Sequence, residues 1–90
     1  MGRTVFVNGQ WLDETAATIS IFDRGFLFAD AIYEVTAVAD GKLIDFKGHT
    51  DRLKRSLETL GIPMPVAEGE LLALHQEIAR RNGITHGLVY

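Results

Sequence analysis

Two short stretches of this chain carry residues whose types and spacing suit chemistry on anions. The first is Asp23-Arg24-Gly25-Phe26-Leu27-Phe28-Ala29-Asp30-Ala31-Ile32-Tyr33-Glu34, where charged side chains alternate with large aromatic ones. The second is His49-Thr50-Asp51-Arg52-Leu53. His49 and Arg52 stand three apart, so on a helix they share a face. An arginine in that setting can hold a phosphate or carboxylate through two parallel hydrogen bonds, and a histidine beside it orients it or adds a donor. Tyr33 and Glu34 are adjacent, so on a strand they point to opposite faces. A polar side chain directed beneath covering helices needs a partner there. The one on the open face is free to meet a ligand.

The elements that must position these residues follow from local chemistry. Val5-Phe6-Val7, Asn8-Gly9 and Gln10-Trp11-Leu12 read as a β-hairpin, because Asn-Gly readily takes the positive φ angles of a tight hairpin turn. Thr18 to Phe22 alternates and reads as extended, and Asp23-Arg24-Gly25 as a turn. Phe26 to Asp30 is too short to read as a helix. Ile32 to Val38 is rich in β-formers and reads as a central strand, returning through an Asp40-Gly41 turn into Lys42-Leu43-Ile44. Asp45 caps a helix over about 46–60, which Gly61 and Pro63 stop. Phe46, Thr50, Leu53, Leu57 and Leu60 form its inner stripe. A second helix over about 66–81, with Leu71, Leu74 and Ile78 inward, ends at Asn82-Gly83. The order implies an α+β fold, an antiparallel sheet with two helices packed on one face. The final His86-Gly87-Leu88-Val89-Tyr90 reads as a strand beginning, so the chain is expected to be a fragment.

Composition narrows the function by exclusion. The 90 residues contain no Cys, which removes disulfides and every thiolate-based site. Nine Lys and Arg against twelve Asp and Glu leave a net charge of -3, with no basic face for nucleic acid. No apolar run spans a membrane, and the start, Met1-Gly2-Arg3-Thr4, lacks the apolar stretch of a signal peptide. No glycine-rich phosphate loop, nucleophile elbow or His-Glu-x-x-His occurs, and His49, His75 and His86 lie too far apart for a local metal motif. The expectation is no metal, no nucleic acid, no membrane and a cytoplasmic location.

The segment from Asp23 to Glu34, followed by His49-x-x-Arg52-Leu53, resembles the fold-type IV pyridoxal-phosphate enzymes: D-amino-acid aminotransferases, branched-chain aminotransferases and aminodeoxychorismate lyase. The resemblance covers the chain from the Val7-Asn8-Gly9 hairpin to Tyr90, and the two motifs together are specific. Tyr33-Glu34-Val35-Thr36-Ala37-Val38 is similar to the strand of the D-amino-acid branch. Branched-chain enzymes usually carry Phe-Glu-Gly and then Ile-Arg there, from which this sequence departs at Tyr33, Val35, Thr36 and Ala37. Ala29 and Ala31 stand where the family often places Gly, making the backbone less permissive.

By this resemblance, Arg52 is the residue that grips the phosphate of pyridoxal 5'-phosphate. Tyr33 lines the substrate side and helps hold its carboxylate, while Glu34 and His49 support the same pocket. A phosphate dianion suits the donor fork of Arg52, and a phenol can donate to a carboxylate on an apolar wall. The resemblance also implies a Schiff-base lysine. Neither Lys42, Lys47 nor Lys54 matches it by context, so 1–90 is expected to be an N-terminal domain whose larger, lysine-bearing partner domain is absent. The fragment then holds no catalytic residue and is inactive alone. The parent would be a homodimeric aminotransferase acting on D-amino acids and 2-oxo acids.

Structural roles stand beside these functional ones. Arg52 could instead form a surface ion pair with Glu58 or Asp51. Tyr33 could be a sheet-face residue, His49 a structural residue and Glu34 a hydrogen-bonding anchor. Arg24 fixes its turn through Asp23 or Asp30, Phe26 and Phe28 pack in the core or against a further domain, and Trp11 belongs to the hairpin. The competing view of the whole chain is a small autonomous α+β binding or dimerising module. Branched-chain aminotransferase or lyase activity is the alternative within the family.

Overall fold

The computed structural model describes residues 2–90, which fold as two compact units, one ending at Ala31 and the other running from Ile32 to Tyr90. In the first, β1 (Thr4–Val7) pairs antiparallel with β2 (Gln10–Asp13), in the register Val7↔Gln10 and Phe6↔Trp11. Asn8 and Gly9 turn the chain with φ of 51° and 82°, the left-handed conformations that Asn-Gly favours. The Phe6 and Trp11 rings meet edge to face at 4.8 Å across the pair. An Arg3–Glu14 ion pair of 2.8 Å closes its open end.

The rest of this unit refines the reading from the residues. Thr18 to Phe22 joins no sheet, and Ile19, Ile21 and Phe22 are exposed: alternation makes a strand only where a neighbouring strand supplies hydrogen bonds. The stretch read as a turn and an unplaced apolar run is a one-turn helix, α1 (Arg24–Phe28). The Asp23 carboxylate accepts a hydrogen bond from the Gly25 amide at 2.9 Å, satisfying a donor at the helix start. Arg24 pairs with Asp30 at 3.0 Å, as one of its two expected partners. Phe26 and Phe28 are not core residues but exposed, at 68% and 69%. A helix this short presents few faces; the Arg24 guanidinium lies over the Phe28 ring at 5.7 Å, and both rings stay largely exposed.

In the second unit β3 (Thr36–Ala39) lies between β4 (Lys42–Leu43) and β5 (Gly87–Val89), antiparallel to both. Asp40 and Gly41 make the expected tight turn, with φ of 50° and 73°. The strand expected from Ile32 begins only at Thr36, because the pairing with β5 runs from Val38↔Gly87 to Thr36↔Val89 and earlier residues find no partner. Tyr33 and Glu34 therefore precede the strand.

Helix α2 (Phe46–Leu60) has the expected bounds. Asp45, itself left-handed at φ 54°, caps it by accepting from the Gly48 amide at 3.2 Å. Gly48 leaves room for that cap, since a Cβ there would stand 2.5 Å from the Asp45 carboxylate. Gly61, at φ 70°, ends the helix. Thr50 and Leu57 of α2 are buried together with Thr36 and Val38 of β3. Leu60, the final helical residue at the rim of the stripe, is exposed rather than inward.

The second long helix, α3 (Glu68–Arg81), starts two residues later than the pattern suggested, with Ala67 extended at its head and no side chain capping it. Glu68 and Glu70 in its first turn and Arg80 and Arg81 in its last complement the helix dipole. It packs against β5, and His75 meets the Phe46 ring at 5.0 Å. The architecture is thus α+β, with antiparallel pairing and helices against one sheet face. Among the described residues, no helix is long and apolar enough to cross a membrane.

Ala29 ends α1 in the left-handed region, at φ 55° and ψ 29°, where a Cβ is strained. Ala29→Gly is expected to raise stability by about 0.5–1 kcal/mol, the relieved strain outweighing the added freedom of the unfolded chain. Thermal unfolding checks this, and a lowered midpoint would contradict it.

Candidate functional site

The site is built where the segment leading into β3 passes the start of α2. Thr36, two residues beyond Glu34, and Thr50, next to His49, are both buried, so the backbone is anchored on each side of the cluster. Glu34 reaches both charged side chains of the second motif. Its Oε2 accepts from Arg52 Nε at 2.7 Å, and its Oε1 accepts from Arg52 Nη2 at 2.9 Å. His49 Nδ1 lies 2.7 Å from Oε1. An ionised carboxylate offers only acceptors, so Nδ1 carries the proton in this contact.

Burial is uneven across the pair: the Glu34 side chain is 13% exposed and that of Arg52 61%. The Arg52 hydrogen bonds hold the Glu34 carboxyl at about 2, below its usual 4.5, with His49 helping and burial opposing. Glu34 raises the Arg52 pKa in return. Two of the five guanidinium N–H groups are occupied by Glu34, leaving an outer edge of donors.

That edge borders an open recess lined by Tyr33, Glu34, Val35, Arg52 and Ser56. Tyr33 is 70% exposed, and its ring stacks on Tyr90 at 5.7 Å. Adjacent Tyr33 and Glu34 do diverge, one outward and one inward, although neither belongs to the strand. All four residues singled out from the sequence meet here: Glu34, His49 and Arg52 in direct contact, Tyr33 on the same rim. Arg52 pairs with neither Glu58 nor Asp51; Asp51 is taken by Lys47 at 2.7 Å. Two residues escaped the sequence reading. Ser56 lies one helical turn beyond Arg52, a spacing that could have flagged it, whereas the Tyr33–Tyr90 stack had no local signal.

Several other titratable residues have structural partners. Lys54 bridges to Glu68 at 2.8 Å, His75 Nδ1 contacts the Leu71 carbonyl at 2.9 Å, and His86 lies 3.4 Å from Asp40. Among the described residues, no group of three or more His, Asp or Glu gathers as metal ligands.

Comparison with known proteins decides the family. The amino-transferase class IV family matches residues 31–90. The chain belongs to the class IV aminotransferases. D-alanine aminotransferases from Staphylococcus epidermidis and Listeria monocytogenes serotype 4b are 37% and 36% identical to it over 86 residues. Those matches cover 96% of this chain but 30% of each relative. A solved branched-chain aminotransferase from Thermoproteus uzoniensis, with norvaline, shares the fold at a TM-score of 0.83 and 23% identity, again over 96% of this chain and 30% of that one. The chain thus spans about 30% of the length of these relatives. Class IV aminotransferases of this fold type are pyridoxal-phosphate enzymes. The donor chemistry of Arg52 suits the phosphate end of that cofactor: a guanidinium with N–H donors to spare, in a recess also lined by Ser56.

The depressed Glu34 pKa carries a pH dependence of fixed sign. A carboxylate stabilised by pairing contributes stability above its unfolded pKa of 4.5, and loses it as pH falls through about 2. Glu77, between Arg80 and Arg81, contributes in the same window. Glu34→Gln is expected to flatten the loss of stability between these values while leaving the Glu77 part. Denaturant unfolding at stepped acid pH tests this; an unaltered slope would reject the Glu34 contribution.

Proposed function

We propose that this chain is the N-terminal domain of a pyridoxal-phosphate-dependent aminotransferase that moves an amino group between D-amino acids and 2-oxo acids. The observation that carries the reading is the Glu34–Arg52–His49 cluster opening onto the Tyr33 recess. The 37% identity to a D-alanine aminotransferase supports the D-amino-acid branch. In this reading Arg52 grips the cofactor phosphate with its outer donors, and Tyr33 offers its phenol to the substrate carboxylate from the exposed wall. Glu34 and His49 support that arrangement. When bound, the cofactor withdraws electrons from the α-carbon bond that must break. The lysine that bonds to the cofactor belongs to a larger second domain, and the parent is a cytoplasmic homodimer. The 90 residues by themselves neither retain cofactor specifically nor transaminate. A natural gene product whose intact mass matched these residues alone would favour an autonomous module instead.

In the full-length protein, Arg52→Ala is expected to weaken pyridoxal-phosphate retention by about 10- to 100-fold, about 1.4–2.8 kcal/mol. Equilibrium dialysis measures it, and wild-type retention would remove the phosphate assignment. Tyr33→Phe deletes one donor to a ground-state carboxylate, so it should raise KM about 3- to 10-fold with kcat little changed. Steady-state kinetics with D-alanine provide the check, and an unaltered KM would reject that role.

A further inference from the structure

Glu34 stands in apparent conflict with an anion site. Its negative charge cancels that of Arg52, so the pair brings no net positive charge to the recess, and the carboxylate repels an arriving dianion. By charge alone, Arg52 would hold a phosphate better with Glu34 neutral. The geometry supplies the opposing effect. Arginine is long and flexible, and here it is 61% exposed, with the carboxylate contacts fixing its guanidinium. Glu34 is well placed to fix it, being itself 13% exposed and held at Oε1 by His49 as well. Both oxygens engage one edge of the planar guanidinium, which determines its rotation as well as its position.

We propose that Glu34 is the positioning residue of the anion site: it turns the guanidinium so that the unengaged edge faces the recess of Tyr33, Val35 and Ser56, ready for a phosphate dianion. This rests on the reading of Arg52 as the phosphate grip. The ordering of Arg52 is completed before the anion arrives, and the advantage exceeds the repulsion from Glu34. His49 acts one step further out, by keeping Oε1 in place.

Charge and positioning push Glu34→Gln in opposite directions, which makes the variant decisive. Gln keeps the shape but offers one acceptor and a donor, so it cannot accept from Arg52 at both ends. The experiment measures pyridoxal-phosphate dissociation constants by dialysis for the full-length protein, Glu34→Gln, Arg52→Ala and the double variant, with thermal unfolding of each apoprotein. Positioning predicts about tenfold weaker binding in Glu34→Gln, a larger loss in Arg52→Ala, and no additional loss in the double variant. Unchanged or tighter binding in Glu34→Gln, with Arg52→Ala weakened, overturns the positioning role and leaves the phosphate assignment standing. Loss in Glu34→Gln that persists undiminished without Arg52 also overturns it, since Glu34 would then act through the fold. Unchanged binding in Arg52→Ala removes the phosphate assignment and this inference together. Should Glu34→Gln fail to fold, Arg52→Lys serves: it keeps the charge but lacks the fork, so about tenfold weaker binding is expected, and wild-type binding overturns the proposal.

Discussion

The constraint on which the site depends is the mostly buried carboxylate of Glu34. A charge with little access to water must find strong partners, and removing one leaves the other uncompensated. Glu34 finds two in Arg52 and His49, both on the first two turns of α2. One interaction therefore fastens the segment before β3 to the helix and sets the orientation of the cation lining the recess. Had Arg52 simply met Asp51 on its own helix, the direction of its unengaged edge would owe nothing to tertiary structure.

That arrangement requires α2 to begin at the right residue. Asp45 accomplishes this locally, by a cap that only Gly48 leaves room for. The buried pairs Thr36 with Val38, and Thr50 with Leu57, then fix strand and helix on either side. No buried side-chain polar atom among the described residues lacks a partner, so threonine in so small a core carries no unmet hydrogen bond. The ion-pair cluster lies at the margin of this core, where its backbone is held while one side still reaches solvent.

Much of this was legible in the residues. Turn chemistry at Asn8-Gly9 and Asp40-Gly41 marked both hairpins, Asp45 and Gly61 marked both ends of α2, and His49 with Arg52 marked a shared face. The misreadings share a cause. Thr18 to Phe22 and Ile32 to Val35 have strand-like composition without a strand partner in the fold. Phe26 and Phe28 have core-like side chains on a one-turn helix that leaves them exposed. Hydrophobicity states what a side chain favours, and burial depends on what else is near it.

By itself the sequence determined the hairpin turns, the bounds of α2, the family resemblance and the four residues that the structure brings to one recess. Caps, turns and i, i+3 spacing act over a few residues, so they can be read without knowing the rest of the fold. Only the tertiary structure decided that Arg52 meets Glu34 rather than Glu58 or Asp51, that Ser56 borders the same recess, and that Tyr33 lies on Tyr90. Glu34 and Arg52 are separated by two strands, the turn between them and the first half of a helix, and their contact follows from how those elements pack. A side chain's type limits the partners it will accept; the packing selects among them.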